Sequence, residues 1–289
     1  MTSSDFDAHA VPIRPAATVL ICDERPDLHV LMLKRNARSI FVGDMWVFPG
    51  GAVDPGDATP RADAAVEHLT DLAASRALGL PSGGIAYWVA ALRETFEEAG
   101  VLLARPRGVD TLIDLSEPGT AARFERHRDE VNAGTGDFID IVVDEDLLLD
   151  GADVHYVAHW ITPLGSPRRY DTRFFVTAMP RGQVPLHDDD EAVHHEWVRP
   201  ADALAANAVG EMIMLTPTIA MLARLACFAD TTAAVAAAAA APDDGSLDEV
   251  VRIRPGVDGP DRVAVPSDAD YLDADEHVES GTLRWPLPT

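Results

Sequence analysis

Two β-rich apolar runs open the chain, residues 17–22 and 28–34, joined by the polar turn Asp23-Glu24-Arg25-Pro26-Asp27; they predict a pair of strands. A shorter run, Trp46-Val47-Phe48, stops at Pro49-Gly50-Gly51, the pattern of a strand entering a tight loop. Between residues 61 and 78, apolar Ala64, Ala65, Leu69, Leu72 and Ala73 predict one helix, which Pro81-Ser82-Gly83-Gly84 ends. The clearest stripe follows. Trp88, Leu92, Phe96 and Ala99 fall on one helical face, Ser82 is placed to cap a helix starting near Gly84, and Gly100 fits the left-handed position that closes it. Residues 101–103 read as the start of a strand.

The rest alternates in kind. Residues 120–131 predict a charged helix, residues 132–137 a Gly-rich loop, and residues 138–150 fit helix and strand equally. Residues 154–161 and 173–178 read as strands, and residues 200–206 as a short helix. Thr216 caps a longer helix, with Pro217 at its first position and Phe228 near its end. Strands alternating with helices argue for α/β layers. Residues 233–241 are almost pure alanine, a helix former with little to pack, and Pro242-Asp243-Asp244-Gly245 stops the run. Beyond it lies an acidic tail with short apolar alternations, readable as a small hairpin or as a partly disordered end.

The polar face of the helix before Gly100 carries the chemistry. Glu94, Glu97 and Glu98 are three and four residues apart, so they share one face and repel one another. Carboxylates accept such crowding when a hard divalent cation neutralises them, which suits Mg²⁺ or Mn²⁺. A solvated acidic face is the plain alternative.

The two segments together resemble the Nudix box of the Nudix hydrolases. That box runs from Gly, through a Glu, to Arg-Glu-apolar-any-Glu-Glu-any-Gly-apolar. Gly51 opens it here, Asp57 stands at the first Glu, and residues 93–101 close it. Thr95 replaces the apolar residue, and the spacer is expanded to residues 58–92. The expanded spacer, Val30-Leu31-Met32-Leu33-Lys34-Arg35, His159-Trp160-Ile161-Thr162-Pro163 and residues 169–175 are similar to the subgroup that includes the mammalian peroxisomal coenzyme A diphosphatases. The likeness covers residues 12–228.

The resemblance implies a Nudix fold, a mixed β-sheet between α-helices with a helical insertion inside the box. It divides the chain into a Nudix domain, 12–230, and an Ala-rich helix with an acidic accessory tail, 231–289. It implies metal-dependent hydrolysis of a diphosphate linkage in a nucleoside diphosphate derivative, with coenzyme A or an acyl-coenzyme A as first candidate. Glu94, Glu97, Glu98 and the Gly51 carbonyl are then the metal ligands. Arg93 ties the helix to neighbouring carboxylates, and Glu191 or Glu94 is the candidate base. The coenzyme A-associated pattern before Phe48 is incomplete. Arg35 fits it, but Asn36, Ile40 and Asp44 replace a small residue, an Arg and a Gly. ADP-ribose, a dinucleotide or a nucleotide-sugar therefore stays open, as does a Nudix-fold module that binds a nucleotide without turnover. A structural protein docking through the tail is a third class.

Composition narrows the partners. The net charge of −25 repels nucleic acid and anionic membranes. An anionic substrate then needs local positive charge, for which Arg35, Arg38, Arg168, Arg169 and Arg173 are candidates. No apolar run is long enough to span a bilayer, and residues 1–14 lack a signal-peptide core. Cys22 and Cys227 lie in apolar segments and read as free buried thiols, pointing to a cytoplasmic, reducing compartment. His187, His194 and His195 sit among acids, without the spacing of a recognised zinc site. His155 and His159 point to one strand face. The resemblance leaves a homodimer open.

Overall fold

The computed structural model describes residues 10–36, 43–163, 165–187, 192–254, 262–264 and 281–288. Strands β1 (Ile13–Glu24) and β2 (Leu28–Arg35) form the expected antiparallel pair; the short strand β3 (Trp46–Val47) leads into the Pro-Gly-Gly segment, and β4 (Gly50–Ala52) contains its two glycines. β3 pairs with β2 and β4 with β1, so the loop is stitched to the sheet on both sides.

The insertion is not one helix. It forms a 3₁₀ turn (Pro55–Ala58), α1 (Pro60–Ala65), β5 (Val66–Glu67) and α2 (Asp71–Leu78). Two caps explain the break: Thr59 accepts from the Ala62 amide, and Thr70 accepts from the Ala73 amide. Val66 leaves the helical path because it pairs with Leu149 in a second sheet.

Helix α3 (Ile85–Ala99) starts at Gly84 and ends at Gly100, which takes φ +66° and donates to the Phe96 carbonyl. Thirteen of its fifteen residues are buried, so it is a central helix rather than a surface one. Gly84 packs so closely on the Ser75 backbone that a Cβ would collide there. The strand expected at 101–103 begins instead at β6 (Ala104–Pro106), because Gln183 takes both backbone groups of Leu102 and closes that stretch off.

Helix α4 (Pro118–Asn132) follows. The ambiguous stretch divides into helix α5 (Phe138–Asp144), capped by Asp137, and strand β7 (Leu147–Asp150), which joins β5 and β6. Strands β8 (His155–Ile161), β9 (Arg169–Ala178) and β10 (Ala192–Val198) extend the main sheet, followed by α6 (Pro200–Ala208), α7 (Thr216–Leu225) and α8 (Thr231–Ala239). The tail supplies β11 (Glu249–Arg254), β12 (Arg262–Ala264) and β13 (Gly281–Leu283).

The main sheet runs β10-β2-β1-β9-β8-β13-β11-β12 and is mixed: β1 and β9 are parallel, their neighbours antiparallel. One face packs Ala17, Val19, Ile21 and Phe175 against Trp88, Leu92 and Phe96 of α3. The other packs Leu20, Met32 and Val176 against Met221 and Leu222 of α7 and Ala234 of α8. The sheet thus lies between two helical layers.

The tail closes the β8 edge. β13 pairs with β8, Trp285 stacks on Phe228 and donates to the Ala234 carbonyl, and Arg284 bonds Asp248 and the Ala77 carbonyl of α2. Both cysteines are free. Cys22 is buried, but Cys227 is exposed, since it follows α7 with its thiol turned to the Ala223 carbonyl. No helix among the described residues is long and apolar enough to cross a membrane.

Candidate active site

Arg93 organises the acids of α3. Its Nε and Nη2 donate to both oxygens of Asp57 at 2.9 Å each, and Nη2 also reaches the Ala52 carbonyl at 2.8 Å. Its Nη1 donates to Glu94 at 2.9 Å and Glu97 at 3.0 Å. Asp57 is buried, and its second oxygen also accepts the Asp54 amide. One guanidinium therefore pins the 3₁₀ turn, the β4 loop and two helical carboxylates together. Burial alone would weaken the Arg93 charge, but the Asp57 bond and the neighbouring acids outweigh it and hold the guanidinium protonated. Burial pushes the Glu97 carboxyl upward, against the pull of Arg93.

The Gly-Gly turn lies against this face. The Gly50 amide donates to Glu98 at 2.8 Å, and a Cβ on Gly51 would stand 2.5 Å from a Glu94 oxygen. Only glycine leaves room at that contact. Arg35 approaches Glu98 at 3.7 Å from β2. Arg128 of α4 donates to the Glu97 and Glu98 carbonyls and so caps the end of α3.

The predicted residues thus fall into groups. Arg93, Glu94, Glu97, Glu98, Gly51 and Arg35 meet at one place. Arg38 and Glu191 lie outside the described residues. Arg169 and Arg173 are buried on β9, where Arg169 donates to the Thr162 carbonyl and Arg173 to the Leu78 carbonyl. Arg173 also faces Asp171, which pairs with His159 at 2.7 Å. Asp57 and Arg128 were not among the predicted site residues. The Asp57 position was visible in the motif; Arg128 left no signal, because its partners are backbone carbonyls about thirty residues away.

This constellation, on a Gly-Gly loop and the helix after an insertion, matches a known family. The NUDT19 Nudix domain matches residues 60–225, more than half of the chain, and the NUDIX domain matches residues 12–66. The chain belongs to the NUDT19 Nudix family.

It is 29% identical to the acyl-coenzyme A diphosphatase NUDT19 of Gallus gallus, over 74% of this chain and 68% of that protein. It is 29% identical to the protein of the same name from Homo sapiens, over 69% of this chain and 61% of the relative. The chain thus spans about three-fifths to two-thirds of these relatives. Among solved structures, a NUDIX hydrolase from Alicyclobacillus acidocaldarius is 27% identical, with a TM-score of 0.60 over 78% of this chain and 97% of that one.

Nudix hydrolases generally use divalent metal ions. The residues present fit such an ion in donor chemistry: three carboxylates and a glycine backbone that a Cβ would displace form an all-oxygen set. Among the described residues no three acidic, histidine or cysteine side chains already converge as ligands. Glu94 and Glu97 turn to Arg93, and Glu98 to the Gly50 amide.

Proposed function

We propose that this chain hydrolyses the diphosphate linkage of a nucleoside diphosphate derivative, coenzyme A or an acyl-coenzyme A. The observation that carries the reading is the gathering of three carboxylates beside the Gly50-Gly51 turn, Glu94 and Glu97 held by the buried Arg93 and Glu98 by the Gly50 amide. The names of the curated relatives support the substrate class. Residues 12–230 form the catalytic unit in this reading, and 231–289 an accessory segment.

Glu94, Glu97, Glu98 and the Gly51 carbonyl would hold Mg²⁺ or Mn²⁺. A bound divalent ion neutralises the diphosphate and acidifies water, the chemistry this class needs. Arg93 orients Glu94 and Glu97, while Asp57 fixes Arg93. Arg35 beside Glu98 offers a guanidinium fork for a phosphate oxygen. Glu94 or Glu191 takes the proton of the attacking water. Arg169 and Arg173, bonded to carbonyls, shape the neighbouring β9 wall rather than donate freely.

A second reading rests on the loop before β3. Asp44 takes φ +63°, where glycine would be unstrained, and pairs with Lys34 at 3.0 Å. With Asn36 and Ile40, it departs from the coenzyme A pattern and favours ADP-ribose, a dinucleotide or a nucleotide-sugar. Incubation with Mg²⁺ or Mn²⁺ and a panel of coenzyme A, acetyl-coenzyme A, ADP-ribose, NADH and a nucleotide-sugar, with products identified by mass, separates the two. Release of 4′-phosphopantetheine and 3′,5′-ADP supports the first; cleavage of another member supports the second. No metal-dependent cleavage at all defeats both.

A further inference from the structure

A second cluster stands against the C-terminal end of α3, next to the turn that carries Glu97 and Glu98. The Leu186 amide donates to the Ala99 carbonyl, the last residue of the helix, and this places His187 beside β10. There the Nδ1 atoms of His187 and His195 face each other at 2.8 Å, with ring centroids 5.0 Å apart. His194 follows, its ring 6.4 Å from that of His195 and edge-on to Trp46. His187 and His195 are half-buried and His194 is exposed, so a small ion can reach the pair.

Two Nδ1 atoms that close share one proton at most, so at least one imidazole is neutral and aims a lone pair at the other. Neutral imidazole is a ligand for borderline divalent ions, unlike the hard carboxylates of α3. Ligand nitrogens about 2.0–2.1 Å from a tetrahedral zinc stand roughly 3.3 Å apart, a few tenths of an ångström beyond the present separation. We propose that His187 and His195 form a two-imidazole site for zinc or a similar late divalent ion, separate from the carboxylate site. As both Nδ1 lone pairs turn to the ion, the proton between them leaves Nδ1, the ring that loses it takes one up on Nε2 and stays a neutral imidazole, and water completes the coordination.

The surroundings favour the neutral form. Burial lowers the His195 basicity first, and the charges of His187, His194 and Arg128 lower it further. The C-terminal end of α3 pulls the other way, and Arg128 already occupies its last carbonyls.

The test is calorimetric titration of the untagged chain with zinc in excess Mg²⁺, repeated in buffers of different ionisation enthalpy. One zinc per chain is expected, with little net proton release at mildly basic pH, where both rings start neutral, and more as the pH falls. His187→Asn and His195→Asn should each weaken binding at least about tenfold, with thermal unfolding unchanged. A Glu97→Gln/Glu98→Gln chain should keep the zinc. No uptake by the unaltered chain overturns the proposal. So does uptake that both histidine variants leave intact, or uptake that disappears with the glutamates.

Discussion

Arg93 and Arg105 are both buried guanidinium groups, the first among four carboxylates and the second among three, yet their surroundings differ. Arg105 bonds Asp150 at 2.5 Å and has Glu67 and Asp153 within 3.9 Å. Two of those acids reach water: the side chain of Asp153 is 69% exposed and that of Glu67 31%. The third, Asp150, is fully buried, and burial followed by the Asp153 charge pushes its carboxyl upward. Around Arg93 one acid of four reaches water: Asp54, 3.9 Å away, has a side chain 65% exposed. The other three, Asp57, Glu94 and Glu97, are 20% exposed or less, and Glu98 beside them 6%. Near Arg105 two of the three acids face water; near Arg93 three of the four are held against the Gly-Gly turn, with burial pushing the Glu97 carboxyl upward. Carboxylates held that way call for a cation.

The strongest way to break the contrast is Glu98→Gln. Turnover should fall by about 10²-fold or more while the fold persists, because the change removes a charge from a crowded face. Unchanged turnover in a steady-state assay sinks the site. Arg93→Gln comes next and should cost about 3–5 kcal/mol in denaturant unfolding, since Asp57 is left buried without its partner. Arg105→Gln should cost less, because Arg105 makes one bond to Asp150, whose carboxyl burial already pushes toward the neutral acid, where Arg93 makes two to Asp57. Equal losses would erase the distinction.

Mg²⁺ sharpens the comparison further. At about a hundred times its dissociation constant it should stabilise the unaltered chain by about 2.7 kcal/mol, and an Asp150→Asn chain equally. The Glu98→Gln chain should gain far less; a full gain there would place the ion elsewhere.

The smallest effect concerns acid. Burial alone would raise the Asp171 carboxyl, but the His159 bond and Arg173 outweigh it and hold it below the usual carboxylate range. Its contribution is present above the unfolded value and is lost as pH falls through the folded one. Asp171→Asn should cost about 1 kcal/mol by unfolding at pH 7, where the contribution is fully present, and little in strong acid, where the unaltered chain has already lost it, so that part of the acid limb flattens. A wild-type acid limb in the variant would reject the pairing.

The parts legible beforehand were those set by near neighbours. Glu94, Glu97 and Glu98 share a face by helical geometry alone, and Gly100 ends α3 because a left-handed terminus favours glycine. The break between α1 and α2 was not legible, since Val66 is drawn from the helix by Leu149, a partner more than eighty residues away. Residues 138–150 stayed ambiguous because buried helix and buried strand are both continuously apolar; the pairing of Leu147 with Pro106 decides where β7 begins. The exposure of Cys227 likewise depends on what packs around α7, not on its neighbours in sequence.

The sequence by itself determined the family pattern, the acidic helix face and the alternation of strands and helices, since these follow from residue type and short-range periodicity. Tertiary structure alone decided which groups meet. The bidentate Asp57–Arg93 bond spans thirty-six residues, the Arg128 cap joins two helices, and β13 finds β8 across the whole tail. Each contact costs chain entropy to close, and only the packing of the sheet between its helical layers makes that closure favourable.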